Sequence, residues 1–201
     1  YFEKKLFHSN RILINVGGLK YIKNQLLLLR VFNKLKNKYK DLKDVKLVII
    51  GEGNLRGQLE KYIQENNLKK EVYLFGFKEN PFKYIAKADL FVLSSRFEGF
   101  GRVLIEAMVC NTPIVSTNCN AGPSELLDDK LLSETKIKDY KKGKWGILVN
   151  EKNEDAFVEA IYKLLNNKKL QEKYTEKAQK RANDFNLKRN ADEWEKILNE
   201  K

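Results

Sequence analysis

The stretch 90-LFVLSSRFEGFGRVLIEA-107 decides the fold of this chain. Its apolar run 90–93 has the composition of a buried strand, residues 98–101 form a glycine-rich turn, and the residues from Val103 onward have helical spacing. Glycine leaves such a turn free of steric restriction, so a ligand can approach the backbone closely. The first N–H groups of the following helix and its positive dipole end favour an anion at the turn. The stretch therefore predicts a strand, an anion-binding turn and a helix.

Two carboxylates, Glu98 and Glu106, bracket this turn and the start of the helix. Glu106 falls about one turn into a helix whose neighbouring residues are otherwise apolar. A carboxylate in such surroundings needs hydrogen-bond donors, which come either from the fold or from the hydroxyls of a bound ligand. Together with the anion-binding turn, the two carboxylates predict a site for a phosphorylated, hydroxyl-rich molecule.

Outside this stretch, short apolar or β-branched runs alternate with segments of helical period almost to the end of the chain. The predicted strands are residues 12–16, 45–50, 72–75, 90–93, 113–116 and 147–149, and the predicted helices include 55–66, 81–88, 102–110, 124–127, 170–184 and 187–199. Continuous apolar runs are typical of parallel strands buried on both faces. The pattern predicts an α/β fold: a doubly wound, Rossmann-like parallel sheet of about six strands with helices on both faces. We expect residues 128–143 to be an irregular surface insertion and helices at about 153–200 to close a single domain, 1–201.

Charge leaves the class of partner open. The chain has 201 residues and a formal net charge of +12, with lysines interleaved among acidic residues. A dispersed positive field is compatible with nucleic acid, an anionic membrane surface or a nucleotide substrate, and it also serves solubility alone. No apolar run reaches the ~18–20 residues that a membrane-spanning helix needs.

Few residues suit metal binding or nucleophilic catalysis. Cys110 and Cys119 are the two cysteines, without a Cys-x-x-Cys motif, and His8 is the single histidine. We therefore expect no zinc site and no triad hydrolase, and two scattered cysteines suit a reducing compartment. Because the chain begins at Tyr1 with no initiator methionine and no signal peptide, we expect it to be a piece of a longer protein.

Glycine turns follow several of the predicted strands: Gly17-Gly18, Gly51-Glu52-Gly53, Gly76 and Gly99-Phe100-Gly101. Ligands of doubly wound sheets bind at the carboxyl ends of the strands, so these turns predict one shared crevice. The first turn, which precedes Lys20 and Lys23, is either a phosphate site or an ordinary strand–helix connection. It is neither a dinucleotide fingerprint nor a Walker A loop. The turn at 51–53 and residues 120–125 are equally open between ligand contact and a structural role.

Three segments resemble a known family. Residues 95–101 (Ser-Arg-Phe-Glu-Gly-Phe-Gly), 104–108 (Leu-Ile-Glu-Ala-Met) and 113–117 (Pro-Ile-Val-Ser-Thr) are similar to the core of the group 1 (family 4) GT-B glycosyltransferases. The signature of that family is Glu-x7-Glu, and Glu98 and Glu106 have this separation. Weaker matches extend from Arg11 to the last helices, so the resemblance covers nearly the whole chain.

The resemblance implies one half of a two-domain enzyme. Family members have two Rossmann-like domains facing each other across a cleft, with the acceptor in the amino-terminal domain and most of the nucleotide-sugar in the carboxy-terminal one. This chain resembles only the carboxy-terminal half, so the acceptor domain is expected to lie outside it. The implied activity is retaining transfer of a hexose or N-acetylhexosamine from a UDP-sugar to a glycan or lipid-linked acceptor, in surface polysaccharide or glycan synthesis.

The resemblance also implies roles for individual residues. Glu98 is the catalytic candidate and contacts the donor hexose, Glu106 accepts hydrogen bonds from the ribose hydroxyls, and Lys23 neutralises the diphosphate. The turn near Gly76 and Phe77 frames the base. The implied donor-binding set is Gly17, Gly18, Lys23, Gly76, Phe77, Glu98, Gly99, Phe100, Gly101, Arg102, Leu104 and Glu106.

One position departs from the family pattern. Where members often carry an arginine that pairs with the lysine on the diphosphate, this chain has Gly18, and Arg102 and Lys20 are the candidates to replace it. The resemblance implies no bound metal, and it makes the nucleotide-sugar a donor substrate and not a bound cofactor. The isolated chain is expected to be inactive, and the whole protein to work in the cytoplasm, in peripheral contact with the inner face of the plasma membrane.

Two alternatives remain open. A nucleotide-sugar epimerase of related two-domain fold would carry its acid and base residues in the other half. A non-enzymatic basic module for nucleotides or nucleic acid needs no catalytic residue, but the chain lacks an aromatic-interleaved basic stripe, and the glycine turns would then have no role. Nucleic acid is therefore not the expected partner.

Overall fold

A computed structural model describes residues 2–120, 122–131, 137–186 and 195. Within these ranges the chain forms one seven-stranded sheet flanked by eight α-helices. The strands are β1 (Arg11–Val16), β2 (Val45–Ile50), β3 (Val72–Gly76), β4 (Leu90–Leu93), β5 (Ile114–Thr117), β6 (Tyr140–Lys142) and β7 (Ile147–Val149). The helices are α1 (Phe2–Ser9), α2 (Gln25–Lys38), α3 (Arg56–Glu65), α4 (Phe82–Ile85), α5 (Arg102–Val109), α6 (Pro123–Asp128), α7 (Glu154–Leu165) and α8 (Lys168–Asn183), with a short 3-10 helix, Tyr21–Lys23, before α2. Among the described helices, none combines the length and the apolar character needed to cross a membrane.

The sheet is covered on both faces. Its strand order is β3-β2-β1-β4-β5-β7-β6, and all neighbours are parallel except β6, which pairs antiparallel with β7. Alternate side chains of one strand serve two cores, since Leu13 packs on one face while Ile12 and Ile14 pack on the other. Helices α2, α3 and α7 cover the first face, and α1, α4, α5, α6 and most of α8 cover the second. The predicted doubly wound, Rossmann-like sheet is confirmed.

The differences from prediction lie at the margins of the sheet. The stretch 128–143 was predicted to be irregular, and this is wrong for its end, because residues 140–142 form β6 as a seventh strand. A short edge strand needs no apolar run, because pairing with β7 stabilises it and its lysines can stay partly solvated. Helix α1 was not predicted, and the predicted helix 187–199 lies outside the described residues apart from residue 195.

The order of the strands determines where a ligand can bind. From β1 the chain runs outward through β2 and β3, and it then returns to place β4 on the other side of β1. Doubly wound sheets bind ligands at such a switch point, outside the carboxyl ends of the strands. The segments after β1 and β4 meet there, where the Arg96 N–H donates a hydrogen bond of 2.8 Å to the Ile22 carbonyl.

Candidate functional site

A cleft of about 520 Å³ opens at the switch point between β1 and β4. The turn after β1 forms one wall, and the loop after β4 with the first turns of α5 forms the other. The lining residues are Val16, Gly17, Gly18, Lys23, Glu98, Gly99, Phe100, Gly101, Arg102, Val103 and Glu106. The cleft thus brings together most of the residues that the sequence placed at a donor site.

An ion pair joins the two walls of the cleft. The Lys23 ammonium donates to both carboxylate oxygens of Glu98 at 2.8 Å, and the Ser95 hydroxyl donates to one of these oxygens at 2.6 Å. Glu98 is 6% exposed and the Lys23 side chain 25%, so the pair is largely shielded from water. Such burial makes charge-assisted contacts stronger than on an open surface. Lys23 therefore has a partner inside the cleft and is not a solvated lysine at a helix start.

Backbone contacts fix this pair in place. The Ser94 hydroxyl donates to the Lys23 carbonyl at 3.1 Å, which ties the end of β4 to the lysine. The Thr117 hydroxyl donates to the Ser95 carbonyl at 2.7 Å, which ties the same segment to β5. Ser94, Ser95 and Thr117 are all fully buried. Because polar groups at such positions must be hydrogen-bonded, they hold the loop after β4 in one arrangement.

The second carboxylate of the cleft belongs to Glu106. It lies on α5, half-buried, and within the described part of the chain no group donates a hydrogen bond to its side chain. Burial raises the pKa of Glu106 above its usual value, and the positive charge of Arg102 partly opposes the rise. An acceptor of this kind on the wall of a cleft is suited to ligand hydroxyls.

The glycine loop approaches the cleft with its backbone. Gly101 is the N-cap of α5 and has φ +83°. Residues with a side chain rarely adopt this left-handed conformation. Gly122 has φ +88°, and a Cβ added there would lie 2.1 Å from the Phe100 carbonyl oxygen, so only glycine lets the α6 start pass beneath the loop. The helix α5 then begins at Arg102 and presents its first N–H groups at the mouth of the cleft.

The opposite wall is built from two interlocked turns. A Cβ at Gly51 would lie 2.1 Å from the Gly17 carbonyl oxygen, and one at Gly53 would lie 2.4 Å from that of Leu19. The Gln25 amide donates to the Gly18 carbonyl at 3.1 Å from a buried position. The turn at 51–53, which the sequence left open, therefore has a structural role in supporting the Gly17-Gly18 turn.

Three predicted residues do not line the cleft. Gly76 accepts a hydrogen bond from the Gly51 N–H at 2.8 Å beyond the interlocked turns, and the neighbouring Phe77 is 73% exposed. Leu104 is fully buried in the core under the glycine loop. Two residues are candidates to replace the missing arginine. Arg102 lines the cleft, and the side chain of Lys20 lies close to Gly18.

Ser94, Ser95 and Gln25 contribute to the site although the sequence did not single them out. The two serines directly follow a fully apolar strand, and polar residues at the carboxyl end of a buried parallel strand are a usable signal for a site. Gln25 gives no such signal, because nothing in its neighbours shows that it faces the turn. Among the described residues, no cluster of three or more His, Cys, Asp or Glu side chains could hold a metal ion.

Comparison with known proteins places this architecture in a family. The family described as glycosyl transferases group 1 matches residues 1–181. An N-acetylgalactosamine-N,N'-diacetylbacillosaminyl-diphospho-undecaprenol 4-α-N-acetylgalactosaminyltransferase of Campylobacter jejuni is 37% identical over 88% of this chain and 43% of its own length. An uncharacterized glycosyltransferase of Methanocaldococcus jannaschii is 33% identical over 97% of this chain and 51% of its own length. The chain thus spans about half the length of these curated relatives.

A solved structure agrees with the fold and with the extent of the match. A mutant of Staphylococcus aureus TarM, in complex with fondaparinux, α-GlcNAc-glycerol and UDP, superimposes with a TM-score of 0.80 and 26% identity. The match covers 95% of this chain and 36% of that one. The predicted likeness to a GT-B carboxy-terminal half is confirmed at the level of architecture.

Proposed function

This chain belongs to the group 1 glycosyltransferases, and we propose that it is the donor-binding domain of a retaining enzyme that uses a UDP-sugar. The transferred group in this proposal is a hexose or an N-acetylhexosamine. The observation that carries it is the Lys23–Glu98 pair in a cleft whose other carboxylate, Glu106, has no protein donor among the described residues. A cation, a helix N-terminus and a free acceptor suit the diphosphate and hydroxyls of one ligand.

The donor fits the cleft in one direction. Its diphosphate lies at the start of α5 and beside Lys23, whose ammonium has three N–H groups and uses two on Glu98. Its ribose lies at Glu106, which accepts from the hydroxyls. Its hexose lies at Glu98, and the base extends toward the turn after β3, where Phe77 is exposed. Lys23 can therefore contact the phosphate without leaving Glu98.

The leaving diphosphate is stabilised by protein groups in this proposal. As the bond from the sugar to the diphosphate breaks, negative charge develops on the phosphate oxygens. Lys23, Arg102 and the first N–H groups of α5 are already oriented there, and such preorganised donors need little rearrangement when the charge appears. Glu98, fixed by Ser95 and Lys23, lies at the sugar, where it stabilises the positive charge that grows on the reacting carbon.

The acceptor belongs to the part of the protein that this chain does not contain. The name of the Campylobacter relative specifies a diphospho-undecaprenol-linked glycan and an α linkage, and the TarM complex contains α-GlcNAc-glycerol with UDP. These names support a glycan or lipid-linked acceptor and a product with an α linkage. A retaining enzyme forms an α linkage when the sugar of its UDP-sugar donor is α-linked. In this proposal the whole protein works in surface glycan synthesis, in the cytoplasm and at the inner face of the membrane, where a lipid-linked acceptor would be met.

The test is calorimetric titration of this chain with uridine, UMP, UDP and several UDP-sugars, with single-stranded RNA as the comparison. We expect affinity to rise from uridine to UDP, because each phosphate adds a charged contact, and we expect no sugar transfer by the chain alone. RNA binding that UDP fails to displace would favour the basic binding module instead. A full-length protein that interconverts free UDP-sugars without any acceptor would favour the epimerase.

A further inference from the structure

Phe100 lies between two cavities. It lines the cleft of about 520 Å³ and also a second cavity of about 440 Å³ between α6 and the end of α8. Phe100 is 40% exposed, and it is the one described residue that lines both cavities. The position of Phe100 therefore determines the shape of the donor wall.

The Phe185 ring packs against the Phe100 ring. The two ring centroids are 5.5 Å apart and the planes meet at 71°, an edge-to-face contact. Phe185 follows the end of α8, and its N–H donates to the Ala182 carbonyl at 3.1 Å, so its backbone continues the last turn of that helix. A residue far from the glycine loop in sequence thus contacts the loop through one ring.

Arg181 in turn holds Phe185. The centre of its guanidinium group lies 4.9 Å from the Phe185 ring centroid and 4.6 Å from that of Trp145. One of its N–H groups donates to the Glu125 carbonyl on α6 at 2.8 Å. The same guanidinium therefore supports two aromatic rings, of which only Phe185 has a ring contact with Phe100 among the described residues.

We infer that Phe185 is a positioning residue for donor binding, and this rests on the proposed function. Its ring keeps Phe100 out of the second cavity and so keeps the backbone of residues 99–101 on the wall of the cleft. Without it, the loop samples positions in which that backbone no longer meets the donor. Binding must then order the loop, and this ordering weakens the observed affinity.

The variants Phe185→Ala and Trp145→Ala form a matched pair on the whole chain. Both remove a ring from the Arg181 guanidinium, so both are expected to lower stability against urea. We expect Phe185→Ala to weaken UDP binding by roughly three- to tenfold and Trp145→Ala to leave it unchanged within twofold, in line with the strength of an aromatic pair. Phe185→Tyr, which preserves the ring, should recover most of the affinity.

A double-mutant cycle shows whether the effect passes through Phe100. In a Phe100→Ala background, Phe185→Ala should cause no further loss of UDP affinity, because the contact is already absent. If Phe185→Ala fails to fold, Phe185→Leu replaces it and should give a smaller loss in the same direction. If both Phe185→Ala and Phe185→Leu bind UDP with wild-type affinity, the inference is overturned. The proposed function is then unaffected. Failure of the wild-type chain to bind UDP would overturn the proposed function itself.

Discussion

The ammonium nitrogen of Lys23 lies 2.8 Å from each carboxylate oxygen of Glu98, across 75 positions of sequence. Removing either member of the pair is expected to destabilise the fold, because the other charge is then left uncompensated in poorly solvated surroundings. The pair also lowers the net charge of the cleft, since the cation that would meet a phosphate is already matched by an anion. Stability and ligand binding are therefore coupled at this contact.

Removing the Lys23 side chain should affect both properties. We expect Lys23→Ala to lower the free energy of unfolding by more than the ~0.5 kcal/mol typical of surface substitutions. Its affinity for UDP should fall roughly ten- to hundredfold, the equivalent of ~1.5–3 kcal/mol for a charge-assisted contact. Uridine, which has no phosphate, should lose much less. Calorimetry with uridine, UMP and UDP measures the difference.

Lys20→Ala is the control for the effect of Lys23→Ala on stability, since Lys20 is exposed on the same turn. It should change stability little. Arg102→Ala should show the phosphate-dependent loss in smaller degree, because Arg102 lines the cleft but is exposed. Equal losses for uridine and UDP in Lys23→Ala would remove Lys23 from the phosphate contact.

Replacing Glu98 by glutamine should separate binding from turnover. The Gln side chain still accepts a hydrogen bond from Ser95, but the negative charge beside the diphosphate is gone and Lys23 is no longer neutralised. We expect Glu98→Gln to bind UDP at least as tightly as the wild-type chain, while kcat in the whole protein falls sharply, because its contact lies where positive charge develops. A clear loss of UDP affinity with unchanged kcat would contradict this division.

Glu106→Gln should weaken uridine and UDP alike. Both ligands carry the ribose that we assign to this carboxylate, and replacing a charged acceptor by a neutral one costs about 1 kcal/mol, or roughly fivefold in affinity. Glu65→Gln, an exposed change on α3, serves as the control and should have no effect. A loss confined to UDP would place Glu106 at the phosphates instead.

The same substitution predicts a pH dependence of stability. Because burial raises the pKa of Glu106, the folded state binds this proton more tightly than the unfolded state does. This residue therefore lowers stability as the pH rises from its ordinary pKa of 4.5 through the raised one. Glu106→Gln should be more stable than wild type near neutral pH, and the advantage should vanish toward about pH 4. Urea unfolding across that range is the measurement, and a gain independent of pH would refute the assignment.

Two glycines of the site should respond in opposite ways to alanine. At Gly122 the left-handed φ and the Phe100 carbonyl oxygen 2.1 Å from the new Cβ both oppose the change, so we expect Gly122→Ala to destabilise by about 2–4 kcal/mol. At Gly99 an added Cβ meets nothing within 4 Å, so Gly99→Ala should fold normally. If UDP-sugar affinity nevertheless falls in Gly99→Ala, the ligand approaches the backbone there, and unchanged affinity would place the ligand elsewhere.

The sheet was predictable because its central strands are almost entirely buried and therefore nearly continuous in apolar residues. β1, β2 and β4 follow the predicted ranges closely for this reason. β6 escaped prediction because its Tyr-Lys-Lys sequence depends on pairing with β7, and pairing leaves no local pattern. α1 escaped for a related reason, since its apolar residues Leu6 and Phe7 pack against other elements and mark only one short face.

The cleft was predictable as a location but not as a set of contacts. Strand ends and glycine turns place Gly17, Lys23 and Glu98 at one edge of the sheet, and the structure brings them together. The hydrogen bonds from Ser95 to Glu98 and from Gln25 to Gly18 depend on side-chain directions that spacing does not encode. Glycine is required at 51 and 53 because two backbones approach each other closely there. This contact arises from the tertiary structure, so the local sequence does not reveal it.

That close approach gives the two walls of the cleft different dynamics. The N–H groups of Gly17 and Leu19 bond to the Ile50 and Glu52 carbonyls at 2.9 Å, across turns too tightly apposed to admit a side chain. Amide hydrogen exchange at these positions should therefore require cooperative opening of the central sheet, whereas the loop 99–101 can open locally. On the proposed function, we expect the first wall to be a rigid template that is the same for every donor. Differences between donor sugars should then be met by movement of the glycine loop and of the Phe100 ring, which Phe185 supports.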